Sequence, residues 1–336
     1  MALLATKSAL LSGSIDDYPE GIILPIDKPY RWTSADVIRK LKFAACRHFD
    51  KKNLKVGHAG TLDPLATGLL LVCIGKATKL AEELQSSEKE YIAAVAFGAT
   101  TPSYDLEKDV DRLFPFSHID EEAIRAALPS FLGSQKQVAP LFSAKSADGV
   151  RAYELARKIY RQGGDFDHSL TGILREQSIE ISALDLLAFL PHGLPPANYN
   201  CNLHVISTAG VSRGTASHKP IPASVNGSET PCGDSSGTGD AIPKELSELI
   251  YGTQSTEDNA RNGRINVADS WSLHLPTAIL RIRCSKGTYI RALARDLGEA
   301  LDSGAHLTSL RRTASGNLSI GNSLTVSEAM SIISHQ

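Results

Sequence analysis

The sequence is poor in the residues that usually announce a metal, a disulfide or a membrane. Its five cysteines, Cys46, Cys73, Cys201, Cys232 and Cys284, are scattered, odd in number and never spaced C-x-x-C, which predicts neither a disulfide framework nor a zinc site. The ten histidines do not cluster either, so no metal and no cofactor is expected. No uninterrupted apolar run approaches the length needed to cross a bilayer; the run at 69–74 is six residues long. The first twenty residues have neither an apolar core nor an A-x-A cleavage pattern, and they predict a frayed leader over 1–20 on a cytoplasmic protein. Charge of one sign is also missing, since the net charge of −2 argues against a nucleic-acid partner until the charges are located.

Locating them changes the picture. Between residues 281 and 316 seven Arg or Lys face three acids, whereas between 197 and 271 five basic residues face eight acids. The basic character is local, and a polar insert masks it in the total. Over 205–240, 21 of 36 residues are Ser, Thr, Gly, Pro or Asn, without an apolar period of 2 or 3.6; such a stretch cannot bury enough surface to offset its ordering entropy. We therefore expect a disordered insertion over 197–269, with one short helix at 243–251, in a surface loop where extra length costs little. The catalytic domain would be written in two pieces, 21–196 and 270–336. With 42% apolar residues in 336, the chain can bury a substantial core.

In those pieces the patterns predict strands at 21–26, 69–74, 90–98, 178–189 and 277–284. Helices are predicted at 33–43 with Ser34 as N-cap, and at 76–84, 121–132, 152–162 and 288–301. The last is the most regular, with Ile290, Leu293, Ala294, Leu297 and Leu301 on one face. The fold class is α+β with a mixed sheet, and no period of 20–50 residues suggests a solenoid.

Two constellations carry chemistry. The first is KVGHAGTLDPLATGLLLVCIGKATK, which holds a single carboxylate, Asp63, with no second acid within ten residues. An Asp before Pro reads locally as an N-cap followed by one turn, closed here by Gly68. The rival reading is a nucleophile, because Gly57, Gly60 and Gly68 bring backbone close and the following strand fixes the turn. A phosphate loop fails on spacing: six residues separate Gly68 from Gly75, and they are the strand itself. The second constellation is RIRCSKGTYIRALARDLG. It places Tyr289 and Arg291 at a helix mouth beside Lys286, where an arginine opposes the helix dipole and invites a specific anion. Asp63 is a candidate for that anion. Tyr289 also reads as core and Arg291 as a surface cation.

GHAGTLDPLATGLL with GKATK resembles the central motif of the TruB family of tRNA pseudouridine synthases. GIILPIDKPYRWTSADVI is similar to that family's N-terminal segment, KEYIAAVAFG to its tyrosine-bearing strand, and CSKGTYIRALARDLGEAL with GAHLTSLRRTASG to its last third. The resemblance implies the pseudouridine-synthase fold, a mixed and largely antiparallel sheet flanked by helices, here with a long low-complexity insertion. It implies a cofactor-free isomerisation of the T-loop uridine of tRNA, position fifty-five, by a monomer whose partner is the tRNA T arm, with no metal and no membrane. Asp63 matches the family's catalytic aspartate, Arg291 the arginine that pairs with it and Tyr289 the active-site tyrosine. Tyr91 matches the tyrosine that stacks on the target base. Leu310 matches an apolar pocket contact and reads equally as core; His58 matches the residue that fills the gap left by the flipped nucleotide and reads equally as a satisfied loop histidine.

Two departures stand out. Thr100-Thr101-Pro102-Ser103-Tyr104-Asp105 replaces the usual T-D-T, and Phe142 in PLFSAK replaces a tyrosine. The segment from Phe142 to Tyr153 resembles a mobile thumb that closes on RNA, with Lys145, Arg151, Arg157 and Lys158 expected at phosphates. A C-terminal PUA-type domain, present in some relatives, is not expected.

Overall fold

A computed structural model describes residues 2–140, 142, 146–147, 150–151, 176–195, 242–252, 265 and 267–334. The predicted helix at 152–162, and Lys145, Arg157 and Lys158, lie outside the described residues, as does the side chain of Arg151.

One sheet organises the molecule. Its ten strands are β1 (Leu3–Leu4), β2 (Ile22–Lys28), β3 (Val56–Ala59), β4 (Thr67–Ile74), β5 (Lys89–Phe97), β6 (Gly133–Gln137), β7 (Gln177–Leu190), β8 (Thr277–Cys284), β9 (Ala305–Ser315) and β10 (Leu318–Ser319). They run in the order β1-β2-β4-β9-β5-β8-β7-β6, with β3 added to β4 and β10 to β9. Two pairings, β1 with β2 and β4 with β9, are parallel, and the others are antiparallel. The sheet is thus mixed and largely antiparallel, as expected. All eight residues of β4 are buried, which fits its unbroken apolar run, since a strand covered on both faces need not alternate.

The helices are α1 (Ser34–His48), α2 (Ala81–Ser86), α3 (Glu121–Ala127), α4 (Lys244–Tyr251), α5 (Ile290–Ala300) and α6 (Val326–Ser334). α1 and α6 cover β2 and β4 with a cluster that includes Leu24, Ile26, Val37, Leu41, Leu70 and Ile333. α3 and α5 cover the central strands with a second cluster, including Val95, Leu280, Ile282, Leu293 and Leu297. Alternate residues of those central strands, Ile92, Ala94 and Ile279, point to the other face and receive Ile250 of α4. Tyr91 and Leu310 pack against both of the first two clusters. They mark the seam of the sheet.

Several expectations are corrected. The N-cap of α1 is Thr33, not Ser34: Thr33 and Asp36 form a reciprocal capping box, and Ser34 is buried because its hydroxyl serves another loop. The helix expected at 76–84 is a 3-10 turn, Gly75–Leu80, followed by α2, and that at 121–132 ends as the 3-10 turn Leu128–Phe131; Pro129 in that last turn has no N–H to continue α3. Residues 2–20 do not fray. β1 lies on β2, and Ala5, Leu11 and Ile15 are buried in the first cluster; apolar spacing too sparse to show a period was still enough to dock them. The short helix expected at 243–251 is present as α4 and is seated on the sheet, and Ala268, near the end of the insertion, is buried with its N–H donating to the Leu106 carbonyl, 2.8 Å.

Leu11 is 1% exposed, so Leu11→Ala should destabilise the chain by about 2–4 kcal/mol, read as a lower urea midpoint at unchanged slope. A frayed leader would leave the midpoint where it was.

Candidate active site

Asp63 sits in a turn between β3 and β4. The turn is a β-turn closed by the Ala66 N–H on the Asp63 carbonyl at 3.1 Å, with Pro64 in its second position, where the fixed φ of proline is favourable. It is not the start of a helix, so the N-cap reading fails. The loop around it is tied down by four side chains. The Ser34 hydroxyl accepts from the Leu62 N–H (3.0 Å), and Lys28 Nζ donates to the carbonyls of Pro29, Trp32 and Pro64 at 2.9, 2.5 and 3.3 Å. Arg312 donates to the carbonyls of Leu69 (2.6 Å) and Gly60 (3.2 Å), and Arg311 to the Thr67 hydroxyl at 3.4 Å. Gly68 has φ +99°, and a Cβ there would lie 2.3 Å from the Arg312 carbonyl oxygen; only glycine lets β4 and β9 approach this closely.

The Asp63 carboxylate, 38% exposed, meets Arg291 Nε at 2.9 Å. Arg291 lies in the first turn of α5, whose preceding residue, Tyr289, is held by Gln137: its N–H donates to Oε1 (2.9 Å) and its carbonyl accepts from Nε2 (3.2 Å). The guanidinium is 4% exposed. Its two other nitrogens donate to the carbonyls of Ser103 (3.0 Å) and Phe142 (2.9 Å), which leaves Nε to face carboxylates. A second one is present. Asp105 Oδ2 lies 3.7 Å from Arg291 Nε, and its other oxygen accepts from the Ser103 hydroxyl (2.6 Å) and the Glu107 N–H (2.9 Å). Burial pushes the Asp105 carboxyl above its usual range, against the pull of Arg291, and burial also raises Glu107. Burial works against the charge of Arg291, but Asp63 and Asp105 outweigh it. Asp63 therefore lacks a neighbouring acid only along the chain.

Beside this pair opens a cavity of about 270 Å³ whose wall includes Asp63, Tyr91, Tyr289, Arg291, Leu310 and Arg312. Lys89 and Lys286 complete a ring of cations around it. Burial lowers Lys89 to about 8, with Arg312 adding to the shift, and burial with Arg312 opposing raises the Tyr91 phenol. The site thus combines one accessible carboxylate, an aromatic and an aliphatic wall, and cations suited to an anionic ligand. Among the described residues no group of three or more His, Cys, Asp or Glu is placed to hold a metal.

The chain belongs to the TruB family. The model of the TruB family pseudouridylate synthase N-terminal domain matches residues 47–194, and that of the tRNA pseudouridylate synthase B C-terminal domain matches 291–333. The tRNA pseudouridine synthase B of Phocaeicola vulgatus is 37% identical over 310 residues, 92% of each chain. That of Bacteroides thetaiotaomicron is 37% identical over 308 residues, 92% of this chain and 91% of its own. Among solved structures, a Cbf5-Nop10-Gar1 complex matches at 19% identity and a TM-score of 0.48, over 97% of this chain and 61% of that one. As a TruB-family member the chain has the pseudouridine-synthase fold.

Of the six residues singled out from sequence, five line the TruB-family cavity. His58 does not; it lies on β3 opposite Val72, where burial and then Arg312 hold its imidazole below the usual range and its Nδ1 finds no partner among the described residues. Asp105, Lys28, Lys89 and Arg312 were missed. Arg312 was within reach, since it stands two places after Leu310 on one strand and so shares its face. The seven basic residues of 281–316 are also not a surface patch: Arg291, Arg295, Arg311 and Arg312 are buried, and Arg283 pairs with Glu90 at 2.8 Å.

Lys28 is fully buried, and burial lowers it to about 7 although Asp63 and Asp27 pull the other way. Between about pH 7 and pH 10 the unfolded chain then binds the extra proton, so stability rises with pH by at most about 1.4 kcal/mol per unit. Lys28→Met should abolish that slope in denaturation curves taken across the window. Parallel curves for the two chains would exclude it.

Proposed function

We propose that the chain converts uridine to pseudouridine in tRNA, at the T-loop position fifty-five, with Asp63 as the nucleophilic carboxylate. The observation that carries this is the 2.9 Å pairing of Asp63 with a buried Arg291 at the edge of a cation-ringed cavity. Two relatives 37% identical to this chain bear the name tRNA pseudouridine synthase B. The reaction breaks C1′–N1, turns the uracil and forms C1′–C5; the C5 proton leaves and N1 gains one, so atoms balance without a redox partner or phosphate donor.

The uridine must first leave its stack, at a cost of a few kcal/mol. Tyr91 and Leu310 would flank the base and return part of it, since a base–aromatic contact contributes about 1–3 kcal/mol. Arg291 holds the Asp63 carboxylate and leaves part of it open to the sugar or base. Tyr289, or a water it holds, would take the C5 proton, and His58 would fill the gap in the RNA stack. Lys286, exposed at the cavity wall, would face a neighbouring phosphate. One chain supplies every one of these groups, so a monomer suffices. No described helix is long and apolar enough to cross a membrane.

Tritium released from uridine C5 in a labelled T-arm stem-loop measures turnover directly. Asp63→Asn should lower release by more than about a thousandfold. Undiminished release would remove Asp63 as nucleophile, and no release from any tRNA by the native chain would favour a silent tRNA-binding protein. Affinity for tRNA should fall steeply with salt, losing about a thousandfold or more between 50 and 200 mM if six or more phosphates are neutralised. A flat response would remove the phosphate-contact role.

A further inference from the structure

α4 is the short helix expected within the insertion, and its C-terminal end reaches the back of the turn that carries Asp63. Leu246, Leu249 and Ile250 seat it on Ile92, Ala94 and Ile279, and the Tyr251 hydroxyl donates to the Pro195 carbonyl at 2.5 Å. The Ile250 carbonyl accepts from the Ser309 hydroxyl and the Tyr251 carbonyl from Arg311 Nη1, both at 3.5 Å. A cation at a helix C-terminus is favourably placed against the dipole. The chain then turns away at Gly252, with φ +76°. A Cβ at that position would stand 2.4 Å from the Arg311 guanidinium carbon, so only a bare backbone can lie this close to the guanidinium.

Arg311 is not free to give way. Its fork grips Asp27 at 2.8 and 3.3 Å and reaches the Thr67 hydroxyl at 3.4 Å. Thr67 begins β4 four residues after Asp63, and Asp27 precedes Lys28, which holds the Pro64 carbonyl. Arg311 and Arg312 are neighbours on one strand and point to opposite faces: Arg312 lines the cavity, while Arg311 lies behind it under α4. The far end of the same stretch docks nearby, where Arg31 Nη2 donates to the Ile265 carbonyl at 2.5 Å.

We infer that α4 and Gly252 are positioning elements of the active site, which press Arg311 onto Asp27 and Thr67 and so fix the turn that presents Asp63. This rests on the activity proposed above. A misplaced catalytic group costs turnover rather than binding, so the effect belongs in kcat.

The test replaces residues 242–252 by a Gly/Ser stretch of equal length and, separately, makes Gly252→Ala, each alone and with Arg311→Met. Both single changes should lower kcat for tritium release about tenfold, with KM for tRNA within about twofold of native, and Arg311→Met should then add less than about twofold. Melting curves establish that each protein is folded; if the replacement fails to fold, Gly252→Ala decides alone. A folded Gly252→Ala chain as active as native overturns the inference. So does a rise in KM at unchanged kcat, which marks an RNA contact, or losses that multiply with Arg311→Met, which put α4 on a separate route. A native chain that releases no tritium would instead refute the activity itself.

Discussion

A buried guanidinium governs this structure. Taking Arg291 out of water costs several kcal/mol unless its charge is answered by carboxylates and its terminal nitrogens find acceptors. The answers come from remote parts of the chain: Asp63 from the β3–β4 turn, Asp105 and the Ser103 carbonyl from the loop after β5, and the Phe142 carbonyl from beyond β6. Satisfying one side chain therefore brings together the walls of the cleft. It also accounts for two acids sharing one cation in a site where only one of them is open to a ligand. Asp105 is enclosed and fixed by its own hydrogen bonds, whereas Asp63 keeps a third of its surface exposed.

Much of this was legible because local patterns and tertiary demands agree. The buried run of β4 and the apolar face of α5 followed from unbroken apolarity and from i, i+3, i+4 spacing; a cation opposing a helix dipole made Asp63 a candidate partner of Arg291, and the family resemblance implied the pair. What stayed hidden depended on partners distant in sequence. Ser34 looks like a cap but is spent on Leu62, so Thr33 takes the role. Asp105 sits among small polar residues that resemble an ordinary loop, and only folding sets it beside Arg291. Lys28 ends an apolar strand as surface lysines often do, yet it is enclosed by the carbonyls of Pro29 and Trp32 and by that of Pro64 in the turn that carries Asp63.

The arginines of the last third show how charge counts mislead. A local excess of basic residues suggests an outer face for RNA, but in β9 and α5 four of them are internal fasteners. Arg312 fills the place where β4 parts from β9 and passes to β3, supplying donors to Leu69 and Gly60 that a neighbouring strand would otherwise have provided. The cations left to meet a substrate are few and stand at the mouth of the cleft.

The parallel pairing of Thr67 with Arg311 has a consequence for synthesis on the ribosome. Contacts between the two ends of a chain form only after the long intervening segment has been translated. A nascent chain can assemble β2 and β4 early, but its carboxylate stays without its guanidinium until α5 and β9 have left the exit tunnel. If Asp63 is the nucleophile proposed above, incomplete products would be inert toward RNA bases, because the carboxylate and its guanidinium meet only once both segments have been made.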